Sequence, residues 1–120
     1  MNEVVKLAII RPSKIVDYIK SINKRLPHLI ILYVDSFEKA VNAISDNSHL
    51  VFSVVTPDYY FDSVNDRATN LASIVKLINQ NNQIFSYSKE RPINVNSLDL
   101  VMTDYKTEEQ EIDVLVDLLK

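Results

Sequence analysis

The sequence predicts a single doubly wound α/β domain, in which helices cover both faces of a five-stranded parallel sheet. Two observations lead to this prediction. Short apolar runs alternate with segments of helical periodicity along the chain, which is typical of strands joined by crossover helices. The runs are nearly continuous, as in strands buried on both faces. The 120 residues show no linker or repeat and suffice for one core, so residues 1–120 are predicted to form one domain.

Each predicted strand is an apolar run, mostly rich in β-branched residues, that ends near proline, a polar turn or a helix cap. The predicted strands are residues 4–10, 28–34, 50–55, 84–88 and 98–103. Residues 89–97, which join the last two strands, are too few for a full helix with two loops. The sequence therefore predicts a shortened fourth helix at this point.

The other helices are marked by apolar residues at helical spacing and by capping residues at their starts. Ser13 is the predicted N-cap of the first helix, and Asp35 or Ser36 that of the second. Thr107, followed by Gln110, has the pattern of a capping box and begins the last helix. These signals place a helix between most pairs of strands.

The composition excludes several kinds of chemistry. The chain has no cysteine, which excludes disulfides, thiol catalysis and thiolate metal sites. It has no glycine where about eight would be usual, so glycine-rich phosphate loops are absent. His28 and His49 open strands after turns and suggest no metal site. Because no nucleophile–base pair is apparent, we expect no enzymatic activity, no cofactor and no bound metal.

The charges are unevenly distributed along the chain. Residues 1–30 hold six Lys and Arg against two acids, whereas residues 90–120 hold three against eight. Two solvated helix faces of opposite sign would explain this, and so would charge-steered docking of a partner. The basic end is too sparse for a nucleic-acid interface, and no apolar run has the roughly 18 residues of a membrane span. We therefore expect a cytoplasmic protein without direct nucleic-acid or membrane contact.

Three stretches resemble the receiver domain of bacterial two-component response regulators, and the resemblance extends over essentially the whole chain. They are LAIIRPS at 7–13, VFSVVTPDYY at 51–60 and LDLVMTDYKTEEQEIDVLVDLL at 98–119. The resemblance implies a flavodoxin-like fold with strand order 2-1-3-4-5. It also implies a phosphorylation pocket where the strands end. The corresponding positions of this chain are Arg11, Pro12, Ser53, Thr56, Ser86 and Thr103.

These positions depart from the chemistry of a working receiver. A receiver holds Mg²⁺ with acids at the end of the first strand, where this chain has Arg11 and Pro12. Ser53 falls on the phosphoacceptor aspartate and Thr103 near the lysine, while Ser86 or Ser88 supplies the hydroxyl. The resemblance therefore implies a degenerate receiver, or pseudo-receiver, that aspartyl phosphate does not switch.

Several of these residues have alternative roles. Arg11 either binds an anion, pairs with Asp58 or Asp35, or is simply exposed. Ser53 is either a phosphoserine site or a buried strand residue. Tyr59 and Tyr60 follow the third strand and either cover the pocket or contact a partner.

The last helix is acidic, and receivers use this region for dimers and output. Glu108, Glu109 and Asp113 form either a solvated face or an association surface there. We therefore expect a signalling or transcription-control domain that binds a protein partner or its own copy through the strand 4, strand 5 and last-helix face. The N-terminal domain of a transcriptional regulator would fit this description. The alternative is a small-anion or nucleotide sensor that uses Arg11 and the nearby hydroxyls.

Overall fold

The computed structural model describes residues 4–57, 68–88, 99–102 and 106–120, which alternate between strands and helices. The strands are β1 (Val4–Ile9), β2 (Ile31–Val34), β3 (Val51–Pro57), β4 (Gln83–Ser88) and β5 (Asp99–Met102). The helices are α1 (Ile15–Arg25), α2 (Phe37–Asp46), α3 (Ala68–Ile78) and α4 (Glu108–Leu119). None of the helices described is long and apolar enough to cross a membrane.

The five strands form one parallel sheet in the order β2-β1-β3-β4-β5. This confirms the predicted fold class and strand order. β1 lies between β2 and β3. The first crossover therefore leads to one edge of the sheet, and the later strands are added toward the other edge. The predicted shortened fourth helix falls in residues 89–98, which lie outside the described residues.

In the described part of the chain, two helices cover each face of the sheet, and each face has its own hydrophobic core. α2 and α3 pack against one face, where Leu7 and Ile9 of β1 are fully buried. α1 and α4 pack against the other face, where Ala8 and Ile10 are buried. Successive residues of one strand therefore enter different cores, which explains why the strand sequences are continuously apolar.

The helix starts follow the predicted caps in two of three cases. Ser36 caps α2, because its side chain accepts a hydrogen bond from the backbone N–H of Lys39. Thr107 and Gln110 form the complete capping box of α4. The prediction for α1 was wrong: its N-cap is Lys14, without a side-chain cap bond, and not Ser13.

β2 and β3 differ in length from their predictions for local reasons. β2 begins only at Ile31, because the N–H of Leu29 donates to the carbonyl of Leu26 and holds the preceding residues in a turn. β3 continues past Val55 to Pro57. β1 ends one residue before the level of Pro57, so the missing N–H of the proline removes no ladder bond with β1.

The connection from α3 to β4 is held by a buried asparagine. The side-chain oxygen of Asn82 accepts from the N–H of Phe52 at 2.7 Å, and its amide nitrogen donates to the carbonyl of Val75 at 3.1 Å. The ammonium of Lys76 donates to the Asn82 carbonyl. Asn82 is fully buried, and it thereby joins the start of β3 to the end of α3.

Candidate functional site at the carboxyl ends of the strands

Arg11 follows β1 at the carboxyl end of the sheet, and its positive charge is paired within the chain. Its Nη2 lies 2.5 Å from Oε1 of Glu111 on α4. The Arg11 side chain is 28% exposed to solvent, whereas the Glu111 side chain is 3% exposed. The structure therefore pairs Arg11 with Glu111, an acid that the sequence analysis did not consider for it. Asp35 pairs with Lys39 at 2.7 Å, and Asp58 lies outside the described residues.

Two tyrosine hydroxyls complete this pair. The Tyr18 hydroxyl donates to Oε1 of Glu111 at 2.9 Å, and the Tyr87 hydroxyl donates to Oε2 at 2.8 Å. Both tyrosines are buried, and Arg11 also approaches the Tyr18 hydroxyl at 3.4 Å. We call these four residues, Arg11, Tyr18, Tyr87 and Glu111, the Arg11 cluster. It joins α1, β4 and α4 on one face of the sheet.

Glu111 is buried, although the sequence suggested either a solvated or a partner-binding face for the acids of this helix. It precedes Leu115 by four residues and Leu119 by eight, so it lies on the stripe that faces the core. Its carboxylate tolerates burial because three donors surround it. A glutamate in the i, i+4, i+8 stripe of an amphipathic helix is the sequence signal that identifies this residue.

Two of the three acids of the predicted interaction surface form ion pairs with α1 or its N-cap residue. Glu108 pairs with Lys14, and Asp113 lies 2.5 Å from Arg25, so two carboxylates of α4 contact cations at the two ends of α1. Glu109 is exposed. Cations of the basic part of the chain therefore contact acids of the acidic part at the surface where α1 lies beside α4, which neither interpretation of the charge pattern anticipated.

The structure brings together Thr56 and Ser86, two residues of the predicted phosphorylation pocket. They are register partners on β3 and β4, and both are fully buried. The Thr56 hydroxyl donates to the carbonyl of Pro57 at 3.0 Å. The Ser86 hydroxyl has no hydrogen-bond partner within the described part of the chain. Both alternate with residues of the α1/α4 face, so they lie on the α2/α3 face, across the sheet from the Arg11 cluster.

Ser53 does not lie at the exit of β3, where the resemblance to receivers implied the phosphoacceptor position. It is the third residue of the strand and pairs with Lys6 and Gln83. Arg11 is five residues beyond Lys6, which corresponds to roughly 16 Å along a strand. Ser53 is 2% exposed. The difference arises because β3 includes Pro57, which the sequence assigned to the following loop.

The other predicted site residues have simpler outcomes. Pro12 is exposed in the turn between β1 and α1. Thr103, Tyr59 and Tyr60 lie outside the described residues. In the ranges that the structure describes, no three His, Asp or Glu side chains gather into a possible metal site.

We expect the folded state to lose stability as the pH rises above about 10. Burial raises the pKa of Tyr18 well above the usual value, and the hydrogen bond to Glu111 raises it further. Burial also raises the pKa of Tyr33 to about 12. Because the unfolded pKa is about 10, this stabilisation is complete below that pH and is lost as the pH approaches the folded values.

Urea unfolding at about pH 9 and about pH 11 measures this effect, with a slope of up to about 1.4 kcal/mol per pH unit for each tyrosine. The Tyr18→Phe variant should show a shallower dependence on pH, because it has no hydroxyl to ionise. An identical pH dependence of the two proteins would contradict the assignment.

The sequence was compared with models of known protein families, and no model matches. No curated protein matches it either. Solved structures do match. A response regulator receiver domain protein from Bacillus halodurans C-125 is 17% identical, with a TM-score of 0.65 over 100% of this chain and 98% of that chain.

A response regulator receiver protein from Sinorhizobium medicae WSM419 is 18% identical, with a TM-score of 0.61 over 98% of this chain and 94% of that one. The RPS4 and RRS1 TIR domain heterodimer contains a chain that is 10% identical, with a TM-score of 0.53 over 98% of this chain and 99% of that one. At these identities the similarity concerns the fold. The chain therefore has the flavodoxin-like fold of response regulator receiver domains.

Proposed function

We propose that this chain is a response-regulator-like signalling domain that acts through protein contacts and without aspartyl phosphate or metal. The observation that supports this most is Arg11. A receiver needs carboxylates at the end of its first strand to hold Mg²⁺, and here a guanidinium follows β1 and is fixed by Glu111. A fixed cation repels a divalent cation. Neither Arg11 nor Pro12, which stand at the positions of the receiver acids, has a side-chain oxygen that could bind the metal.

The charge that develops during phosphoryl transfer needs a metal or a cluster of cations to stabilise it. The Arg11 charge is already matched by the Glu111 carboxylate 2.5 Å away, so it offers little to a second anion. The same pairing gives no support to the small-anion or nucleotide sensor. Thr56 and Ser86 add no anion site beside Arg11, because they lie on the other face of the sheet.

Contact with a partner or a second copy is proposed to involve the face formed by β4, β5 and α4. Among the described residues, β5 is the last strand of the sheet, and Glu109 of α4, the next helix in the chain, is exposed to solvent. An open strand edge offers backbone hydrogen bonds to another molecule. The domain would then serve a transcriptional regulator or another signalling protein as a contact module.

The absence of aspartyl phosphorylation is tested by adding Mg²⁺ and beryllofluoride and recording the amide spectrum. We expect no change at the residues around Arg11, Thr56 and Ser86, whereas a phosphorylatable receiver under the same conditions should respond. Asp58 is the first carboxylate after β3 in the chain, so the Asp58→Asn variant is the matched control. Shifts that appear in the parent and vanish in Asp58→Asn would show a working acceptor and overturn the proposal.

A further inference from the structure

The outer edge of β2 is open among the described residues. β2 is the first strand of the sheet, and only β1 pairs with it. The carbonyl of Val34 accepts from the N–H of Ile10 at 2.9 Å, so the backbone of Val34 faces β1. Because backbone groups alternate along a strand, the N–H and C=O groups of Ile31 and Tyr33 point outward. This edge can therefore hydrogen-bond an added extended strand.

A groove lined mainly by residues with apolar side chains lies beside this edge. It has a volume of about 520 Å³ and runs between the second half of α1 and the start of β2. Ile19 and Leu26 line it from α1, and Leu29 and Ile30 line it from the segment before β2. Ile30 is 94% exposed, the largest fraction among the described large hydrophobic residues. A strand added to β2 would therefore cover apolar side chains that are now in contact with water.

The exposed side of α1 next to the groove carries two lysines. Lys20 and Lys24 directly follow the groove residues Ile19 and Asn23 on α1, and both are exposed, as is His28 in the turn before β2. Neither lysine has an ion-pair partner among the described residues, whereas α4 supplies acids to Lys14 and Arg25 on α1. The cations of α1 that face α4 are thus paired, whereas Lys20 and Lys24 on its exposed side have only Asp17, three residues before Lys20, as a nearby acid on this helix.

We propose that this groove binds an extended, acidic segment of a partner protein, which adds to the sheet as a strand next to β2. The outward backbone groups require an extended occupant, the groove requires apolar side chains, and the lysines require acidic ones. A second copy fits less well. Two-fold pairing of β2 with its own copy would bring the two α1 helices, with Lys20 and Lys24, toward each other.

This contact lies at the opposite edge of the sheet from β5, and it does not depend on the state of the phosphorylation pocket. Selection from a display library of random short peptides tests it, with binding of the selected peptides measured by fluorescence anisotropy. We expect the selected peptides to be acidic and to alternate apolar with polar residues. The Lys20→Glu/Lys24→Glu variant should bind them at least roughly fivefold more weakly, because two ion pairs become repulsive.

Two further variants separate charge from strand addition. Lys106→Glu changes an exposed lysine outside the groove and should leave binding unchanged. Ile31→Pro removes an outward N–H without removing a bond to β1, so it should weaken binding while the amide spectrum still shows a folded sheet. The proposal is overturned if the selected peptides lack acidic residues, if no peptide is selected, or if they bind the double variant as tightly as the parent.

Two other results would also overturn it in favour of a different occupant. An oligonucleotide that binds the parent and not Lys20→Glu/Lys24→Glu would identify nucleic acid as the ligand of the groove. A dimer of the parent in sedimentation that becomes a monomer in Ile31→Pro would identify a second copy at the edge of β2.

Discussion

Replacing Glu111 with alanine is expected to lower the free energy of unfolding by about 2–5 kcal/mol, because two buried hydroxyls and a partly buried guanidinium lose their acceptor. The substitution removes the acceptor of the Arg11 guanidinium and of both tyrosine hydroxyls. Tyr18 and Tyr87 are each 1% exposed, so water cannot replace the carboxylate without rearrangement of the core. Urea unfolding, followed by circular dichroism, measures the change.

Two variants give this experiment its controls. Glu109→Ala removes an exposed carboxylate from the same helix and should change stability by no more than about 0.5 kcal/mol. Glu111→Gln keeps the shape and one acceptor oxygen, so its loss should be intermediate. If Glu111→Ala were as stable as Glu109→Ala, the Arg11 cluster would not stabilise the fold.

Replacing Asn82 with alanine is expected to lower the free energy of unfolding by about 2–4 kcal/mol. The N–H of Phe52 and the carbonyl of Val75 would each lose a partner in the core. The carbonyl of Val75 would keep its bond from the N–H of Asn79, but the N–H of Phe52 would have no partner. A buried group without a partner costs about 1–3 kcal/mol, and the smaller side chain also leaves a cavity. The same unfolding experiment measures this loss.

Asn81→Ala is the matched control for Asn82, because Asn81 is the same residue type one position earlier and is exposed. Its substitution should change the unfolding free energy by no more than about 0.5 kcal/mol. Equal losses in the two variants would show that the hydrogen bonds of Asn82 contribute little.

The sequence predicted the features that depend on local signals. The caps at Ser36 and Thr107 need only a hydroxyl and the next turn of helix, so the pattern was sufficient. The strand order was predicted from the resemblance to receivers, because two-face burial makes all the strands look alike in sequence. Ser53 was misplaced because a proline usually marks a loop, and only the early end of β1 shows why β3 tolerates Pro57.

The Arg11 cluster was not predicted because its partners are distant in the chain. Arg11 and Glu111 are separated by 100 positions, and no local pattern pairs them. The same limit applies to Lys14 and Glu108, whose contact depends on α1 and α4 covering the same face. The sequence of α4 did contain one local signal of the cluster: Glu111 occupies a position where the helical spacing predicts an apolar core residue.

The Arg11 cluster also determines where α4 can dock along its own axis. Leu115 and Leu119 are interchangeable contacts, so an apolar stripe alone would permit α4 to slide by one turn, about 5.4 Å. Such a slide would separate Glu111 from its three donors, which lie after β1, on α1 and on β4. Its carboxylate would then be buried in the core without hydrogen bonds or a counter-charge. The buried carboxylate therefore selects a single docked position for the helix, which apolar contacts alone would leave ambiguous.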